Sequence, residues 1–408
     1  MVSTLARPRS GKVERDLVER ELMRCDTDSL DTVPLAAERA ASYWQQDIPD
    51  EYLHLTGPEI QRRVAIARAH LGDKLVVLGH HYQREDIIQF ADLRGDSFKL
   101  AKWAAEQPQA DYIVFCGVHF MAEAADILAA PHQRVILPNL AAGCSMADMA
   151  DEDDVYAAWD ELKAIGLADD IIPVTYMNSA AALKAFCGEN GGIVCTSSNA
   201  PRVLQWALAR KKRVLFFPDE HLGRNTGIKL GFDVERDMAL WDFRKGYGNL
   251  GGNTEEKLRS STLILWRGWC SVHARFSVAQ IEKARGDHPG IKVVVHPECR
   301  RSVVAAADMD GSTEFIAKVI RESEPGSKWA VGTEINLVSR LARENPDKLV
   351  FCLDPVVCPC STMYRVHPAY LAWVMEELIE GRVVNEIAVP AEIAAKAKLA
   401  LERMLSIP

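Results

Sequence analysis

Three copies of one pattern of chemically reactive residues follow one another along this sequence. Each copy has a ring at the end of an apolar run, a polar side chain two residues later, a hydroxyl 16 to 21 residues after the ring, and a cysteine after a further apolar run. In chain order the rings are His80, Tyr176 and His296, the polar side chains are Tyr82, Asn178 and Glu298, the hydroxyls are Ser97, Ser197 and Ser312 with Thr313, and the cysteines are Cys144, Cys270 and one of Cys358 or Cys360. Gathered at one point, thiolates could bind a metal or cluster while the other groups bind anions and move protons.

The spacing of the cysteines supports a repeat. His80 and Cys144 are 64 residues apart, and so are His296 and Cys360, which favours Cys360 over Cys358 as the third ligand while Cys358 stays an alternative. The middle copy spans 94 residues, as an insertion of about 30 would explain. Three thiolates would leave a position open on a cubane iron or on a zinc ion, and an open metal site can act as a Lewis acid.

The apolar runs that carry the rings are predicted strands. The runs at 75–78, 171–176 and 291–295 are short and do not alternate with polar residues, which is typical of parallel strands covered on both faces. Helix-period segments alternate with the strands, so we predict an α/β fold of three pseudo-symmetric α/β/α sandwich domains with parallel sheets around the cysteines. A single large barrel is the less favoured alternative, because the units are long and each carries its own site residues.

The pattern also suggests domain limits. We predict an irregular or short-helical extension over 1–54 and domains over 55–153, 154–273 and 274–360, with the C-terminal helices of 361–408 packing on the first domain. Ligands of parallel sheets bind beyond the carboxyl ends of the strands, so the three rings are expected to share one pocket.

The predicted insertion near 222–260 contains a formal G-x-G-x-x-G at Gly246, Gly248 and Gly251. A dinucleotide site needs a strand before these glycines and a helix after them. We predict no strand there and find a polar segment following, so we interpret the glycines as a surface loop.

Proton transfer is predicted for three residues of the pattern. Glu298 is the only carboxylate among the repeated positions and is our candidate general acid or base; a salt bridge to Arg300 or Arg301 is the alternative. His80 and Tyr82 are interpreted as acid–base or positioning groups.

Substrate binding is predicted for the polar residues of all three copies. These are His80, Ser97, Tyr176, Asn178, Ser197, His296, Glu298, Ser312 and Thr313. Ser97 and Ser197 open helical patterns, so capping is their alternative role, and Asp96 could be the cap before Ser97. His273, three residues after Cys270, either orients that ligand or contacts the substrate.

Composition excludes several classes of protein. The formal net charge of −9 over 408 residues gives no basic footprint for nucleic acid. No apolar run approaches the roughly 18 residues that span a membrane, and no secretory signal is recognisable, so we expect a cytoplasmic protein. Ten cysteines in a reducing compartment are more typical of metal binding and core packing than of disulfides.

The motifs together resemble quinolinate synthase, the iron–sulfur enzyme family of NAD biosynthesis, in its longer form. The similarity extends from about residue 55 to the C-terminus, and the extension and the insertion lie outside the compact form. The segments that carry it are Gly79–Gln83, Gly95–Ser97, Gly117–Glu123, Gly143–Asp148, Tyr176–Ser179, Thr196–Ala200, Cys270–His273, Val295–Cys299 and Cys360–Met363.

The resemblance implies a [4Fe–4S] cluster held by Cys144, Cys270 and Cys360, with one iron open to substrate as a Lewis acid. It implies condensation of iminoaspartate with dihydroxyacetone phosphate to quinolinate, with loss of phosphate and water, and L-aspartate oxidase as functional partner. The oligomeric state stays open, with a homodimer as one candidate. The alternative function is a non-catalytic iron–sulfur redox or sensor protein, which the anion-binding groups argue against.

Overall fold

Three separate β-sheets form the core of the protein in the computed structural model, which describes Leu30, residues 32–41 and residues 46–407. Most of the predicted extension over 1–54 lies outside these residues. Its described part contains a helix at Leu35–Ala41 and a 3₁₀ turn at Asp50–Tyr52.

Fourteen strands are found in the described residues. They are β1 (Leu75–His80), β2 (Leu93–Gly95), β3 (Tyr112–Cys116), β4 (Arg134–Ile136), β5 (Ile171–Tyr176), β6 (Ile193–Cys195), β7 (Arg213–Phe217), β8 (Met238–Trp241), β9 (Leu263–Trp266), β10 (Lys292–Val295), β11 (Met309–Asp310), β12 (Lys328–Gly332), β13 (Leu349–Cys352) and β14 (Glu386–Ile387).

The three sheets share one strand order. It is β4-β3-β1-β2 in the first sheet, β9-β7-β5-β6 in the second and β13-β12-β10-β11 in the third. All these pairs are parallel; β14 adds an antiparallel edge to β4, and β8 adds a parallel edge to β9. The predicted α/β fold with parallel sheets is therefore confirmed, and the common order gives the sequence repeat a structural basis.

Helices connect and flank the strands, as parallel pairing requires. Those of six residues or more are Leu35–Ala41, Gly57–Leu71, Ser97–Ala105, His119–Leu128, Glu152–Ala164, Ala181–Glu189, Ala200–Leu208, Glu220–Lys229, Glu255–Ser260, Val278–Asp287, Arg301–Ala306, Thr313–Arg321, Ile335–Glu344, Pro368–Ile379 and Ala391–Leu405. Shorter helices lie at Glu85–Ile88, Ser145–Asp148, Val234–Asp237 and Ser361–Tyr364.

Each ring of the pattern ends or directly follows the first strand of its sheet. His80 and Tyr176 are the last residues of β1 and β5, and His296 follows β10. In the shared order the chain leaves this strand on one side and returns on the other, so the rings stand at the switch points where open α/β sheets bind ligands. The cysteines come after the fourth strands, β4, β9 and β13. The sheets follow the order of the predicted domains, whose limits stay a prediction.

Gly79 lets the chain turn back closely after β1. A Cβ on this glycine would lie 2.4 Å from Ile88 Cδ1. The Asp92 carboxylate accepts the Val77 N–H at 2.7 Å and anchors the returning chain beside β1. The short helix Glu85–Ile88 lies in this returning segment, which then continues into β2.

The inserted segment of the second unit is ordered secondary structure. It contains β8 and the helices before and after it, so the prediction that no strand precedes the glycines was wrong. Gly246 follows the 3₁₀ turn at Phe243–Lys245, Gly251 lies in the turn at Leu250–Gly252, and Gly248 lies between the two turns, so no long helix begins at these glycines. A Cβ on Gly251, at φ +60°, would lie 2.6 Å from the Trp241 ring, so the turn packs against β8.

The two C-terminal helices pack in different places. Pro368–Ile379 lies on Gly57–Leu71 of the first unit, as predicted, but Ala391–Leu405 lies mainly on Ala181–Glu189 of the second unit. This corrects the prediction that both pack on the first unit. Gly188 permits this packing of the last helix. A Cβ at this position would lie 1.9 Å from the Lys396 carbonyl oxygen, so only glycine allows the two helices to approach so closely.

Within the described residues, no helix is long and apolar enough to cross a membrane.

A buried neutral histidine gives the fold a testable pH dependence. His367 Nδ1 accepts the Ala369 N–H at 3.1 Å, and Nε2–H donates to the Val33 carbonyl oxygen at 2.9 Å. Burial, reinforced by Arg84, lowers the pKa of His367 to about 3. In the unfolded chain its pKa is about 6.5. Unfolding therefore takes up a proton below pH 6.5, and His367 costs about 1.4 kcal/mol of stability per pH unit as pH falls from 6.5 toward 3.

We expect His367→Asn, which can still cap the helix, to lower the free energy of unfolding at pH 7 by about 1 kcal/mol through loss of the Val33 bond. At pH 5 this deficit should disappear or reverse, because about 2 kcal/mol of proton-linked destabilisation is removed. Urea unfolding of metal-free protein at both pH values measures this, with exposed His54→Asn as control. An unchanged deficit at pH 5 would contradict the neutral buried ring.

Candidate functional site

One cavity lies where the carboxyl ends of the three sheets meet. The space within it, counted together with the solvent at its open mouth, is about 620 Å³. Its walls are formed by His80, Tyr82, Asp96, Ser97, Val118, Phe120, Met121, Cys144, Met146, Tyr176, Asn178, Thr196, Ser197, Cys270, His296, Glu298, Thr313, Cys360, Thr362 and Met363. Every predicted site residue except Ser312 is among them.

The three thiols of the cavity share one local backbone geometry. In each case the cysteine carbonyl oxygen accepts the N–H four residues later, at 3.1 Å for Cys144, 3.0 Å for Cys270 and 2.9 Å for Cys360. Each cysteine thus stands at the start of a helical turn whose first N–H groups point toward its sulfur, an arrangement that favours a thiolate. The partner N–H groups belong to Asp148, Ala274 and Tyr364.

Burial nevertheless raises the pKa of all three thiols above the ordinary range. For Cys270 the next contribution comes from Glu298, followed by Cys360 and Cys144. Cys360 likewise raises the pKa of Cys144. The three sulfurs are therefore near enough to repel one another as anions, and a cation between them would relieve that repulsion.

The spacing of the sulfurs bears on which metal they could hold. Among the described residues, Cys270, His273 and Glu298 form a group of three whose possible metal-binding atoms all lie within 4.8 Å of one another. The three thiols do not form such a group. Zinc–sulfur bonds of 2.3 Å place tetrahedral sulfurs roughly 3.8 Å apart. At least one pair of the three sulfurs therefore lies more than 4.8 Å apart, which is wider than the sulfurs of a tetrahedral zinc site.

Cys358, the alternative third ligand, lines a different and smaller cavity. Its neighbours there include Arg275, Asp354 and Cys352. Cys360 faces the main cavity beside Cys144 and Cys270. The geometry thus favours Cys360, as the 64-residue spacing does.

His80 and His296 repeat one geometry at equivalent positions. The Tyr82 N–H donates to His80 Nδ1 at 3.1 Å, and the Glu298 N–H donates to His296 Nδ1 at 3.3 Å. Burial lowers the pKa of both rings to about 3, so both are neutral near pH 7. Because Nδ1 accepts, the proton is assigned to Nε2, and each ring is a hydrogen-bond donor toward the cavity.

Glu298 is ionised in this site. Its carboxylate accepts the Tyr176 hydroxyl at 2.6 Å and His273 Nδ1–H at 2.8 Å. Burial alone would raise the pKa of Glu298, but the hydrogen bonds from His273 and Tyr176 offset it and hold the pKa well below the usual range. Its oxygens are thus bound by Tyr176 and His273 rather than by Arg300 or Arg301. An ionised carboxylate can accept a proton but has none to give.

A chain of hydrogen bonds behind the wall joins the two tyrosines of the cavity. The Tyr82 hydroxyl lies 2.8 Å from Thr333 Oγ1, which lies 3.1 Å from His273 Nε2. His273 then continues through Glu298 to Tyr176. Both tyrosines are thus linked to Glu298 by hydrogen bonds that run outside the cavity.

The sequence does not reveal Thr333, one member of this series of hydrogen bonds, and leaves the role of another member, His273, open. His273 is fully buried behind the wall and bonds Glu298, rather than contacting a substrate as one prediction allowed. Thr333 directly follows β12, the third strand of its sheet. A hydroxyl at a strand end was the available signal, but the repeat does not include that position.

The predicted hydroxyls divide into two groups. Ser97, Ser197 and Thr313 line the cavity. Ser312 does not, because its Oγ caps the following helix by accepting the Phe315 N–H at 3.3 Å. Before Ser97 the cap is Asp96, which accepts the Lys99 N–H at 2.9 Å, so the Ser97 hydroxyl is not needed for capping.

Comparison with known proteins identifies the family. The family model described as quinolinate synthetase A protein matches residues 64–406. The chain belongs to this family. All the cavity-lining residues lie within the matched region.

Several curated relatives named quinolinate synthase match nearly the whole chain. The one from Corynebacterium glutamicum is 57% identical over 377 residues, which cover 92% of this chain and 93% of the relative. The one from Streptomyces coelicolor is 53% identical, covering 89% and 92%, and the one from Geobacillus thermodenitrificans is 50% identical, covering 88% and 97%. The family relationship thus includes all three units.

Because Cys358 and Cys360 line different cavities, we expect opposite results when each is replaced by alanine. Cys360→Ala should abolish retention of the metal cofactor, because one of three facing thiols is lost. Cys358→Ala should retain it, because that side chain lies on the other cavity. Metal analysis of both proteins, purified without oxygen, is the measurement. Retention by Cys360→Ala together with loss in Cys358→Ala would reverse the assignment.

Proposed function

We propose that the protein is a quinolinate synthase, which condenses iminoaspartate with dihydroxyacetone phosphate and releases phosphate and water. The observation that carries the proposal is a single cavity, contributed by all three units, that combines three thiols with neutral donors and the carboxylates of Asp96 and Glu298. The names of the relatives support the same activity, and L-aspartate oxidase is the proposed source of iminoaspartate.

The walls suit two small anionic substrates. Three nine-residue helices, Ser97–Ala105, Ala200–Leu208 and Thr313–Arg321, begin at the cavity, and helix N-termini bind phosphates and carboxylates. Thr313 Oγ1 is buried without a hydrogen-bond partner among the described residues, which leaves it available for a ligand. The Nε2–H groups of His80 and His296 and the amide of Asn178 add uncharged donors.

We propose that Cys144, Cys270 and Cys360 hold a [4Fe–4S] cluster. The wide spacing of the sulfurs, their mutual repulsion as anions and the N–H groups aimed at them suit a cationic multi-iron cofactor. When bound through three thiolates, such a cluster supplies one iron that is open to a substrate oxygen as a Lewis acid.

Proton transfer is assigned to the buried chain of hydrogen bonds. Glu298, which is ionised, accepts protons released when the imine forms and the carbon adjacent to it is deprotonated. Burial, then Glu298, raises the pKa of Tyr82 well above 10, so its hydroxyl stays protonated and can donate to a departing oxygen. The path through Thr333 and His273 joins the two groups, but His273 Nδ1 already carries the proton bonded to Glu298, so Glu298 and Tyr82 regain their starting protonation states by exchange with water at the open cavity.

We assign each substrate to a part of the cavity according to the unit that carries the binding residues. His80 and Tyr82 project from the first unit and are assigned to the triose. Tyr176, Asn178 and His296 come from the other two units and are assigned to the carboxylates of iminoaspartate.

Glu298→Gln tests the proton-transfer role. The amide preserves the shape of the side chain but cannot accept a proton, so we expect turnover to fall by roughly 10²- to 10⁴-fold while the cluster is retained. Quinolinate formation from the two substrates under reducing conditions, with iron content determined in parallel, is the measurement.

The control is Glu282→Gln, the same change at an exposed position of the third unit. Normal turnover by Glu298→Gln would remove the role of Glu298 as base. Absence of quinolinate formation by the unmodified protein with its cluster intact would reject the proposed function itself.

A further inference from the structure

The chain ahead of β1 docks onto the protein through buried side chains. We call its described residues, 32–41 and 46–54, the amino-terminal segment. Leu35 is fully buried and Tyr52 is 3% exposed. The segment precedes the matched family region, which begins at residue 64, and takes no part in the cavity wall.

The amino-terminal segment holds the loop that leads to Cys144. Gln46 Oε1 accepts the Leu140 N–H at 2.8 Å, four residues before that thiol. Gln46 is fixed in turn by two further bonds: its Nε2 donates to Asn385 Oδ1 at 2.6 Å, and its carbonyl oxygen accepts the Tyr370 hydroxyl at 2.5 Å. One side chain thus ties the Cys144 loop to the C-terminal part of the chain.

The same segment holds the turn that follows Cys360. Glu38 accepts a hydrogen bond from Arg84 at 2.7 Å, and both side chains are buried. The Arg84 guanidinium lies 4.1 Å from the centre of the Tyr364 ring, four residues after the thiol. The Val33 carbonyl oxygen accepts the bond from His367 three residues further on.

The two thiol-bearing segments also bind each other. Asn139 Nδ2 donates to the Arg365 carbonyl oxygen at 2.8 Å, and the Arg365 guanidinium donates to the Ala141 carbonyl oxygen at 3.1 Å. The amino-terminal segment therefore covers a pair of loops that are already joined. The loop of Cys270 is held differently, by the Trp269 N–H on Met149 Sδ at 3.4 Å.

We propose that the amino-terminal segment positions two of the three cluster-ligand loops, with Glu38 and Gln46 as its positioning residues. This inference rests on the proposed cofactor. Removing either contact lets the Cys144 and Cys360 segments separate, so that a ligand dissociates more readily and the cluster becomes more accessible to oxygen and solvent. Neither residue touches the substrate cavity, so their effect is on retention of the cluster.

The test uses the full chain with Gln46→Ala, Glu38→Gln and the two combined. The matched control is Asp47→Ala, which changes a fully exposed carboxylate of the same segment that pairs with Arg39. Each protein is loaded without oxygen, then exposed to air while the visible absorbance of the cluster and the iron content are followed. We expect roughly tenfold faster bleaching for Gln46→Ala, since loss of a buried hydrogen bond is worth about that factor, and no change for Asp47→Ala.

Metal-free samples of the same variants are compared by circular dichroism and urea unfolding. Faster cluster loss with unchanged unfolding of the metal-free protein supports positioning of the loops. Equal bleaching rates in Gln46→Ala, Asp47→Ala and the unmodified protein overturn the inference, as does faster bleaching that unfolding of the metal-free chain accounts for. An unmodified protein that takes up no cluster would instead reject the proposed cofactor.

Discussion

Three partly buried thiols that line one cavity impose the main electrostatic constraint on this molecule. Burial raises the pKa of each, the nearby ionised Glu298 raises that of Cys270 further, and the two histidines of the wall are neutral. Positive charge between the sulfurs would favour their thiolate forms. A cationic cofactor therefore has to supply what the wall lacks, and the short helical turns at each cysteine contribute only part of it. The neutral donors around it can then bind anionic substrates without competing with the cofactor for the thiolates.

The threefold repeat explains how distant residues meet. The three sheets share one strand order, with a ring at the end of the first strand and a cysteine after the fourth. Because equivalent positions of all three units face the same cavity, different side chains at one repeated position bring different chemical groups to one site. Two residues after the ring the units carry Tyr82, Asn178 and Glu298, to which we assign the roles of proton donor, amide donor and base.

The sequence allows the repeated residues of the site to be predicted, but few of the residues that contact them from outside the repeat. The strands, the rings and the thiols follow local periodicity and equal spacing, so their meeting point could be inferred. Thr333 could not, because it belongs to a strand end that the repeat leaves out, and its role depends on a 3.1 Å contact with His273. The repeat predicts Ser312 as a substrate contact from its distance to His296, whereas the helix after it uses its hydroxyl as a cap. The placement of the last helix depends on a close approach at Gly188 between segments some 200 residues apart, which no local pattern records.

The central claim is that the three gathered sulfurs bind one multi-iron cofactor. Counting iron and acid-labile sulfide per chain in protein purified without oxygen tests it most directly. The account predicts about four of each, as in a [4Fe–4S] cluster. A single zinc or iron ion per chain with no sulfide would contradict it.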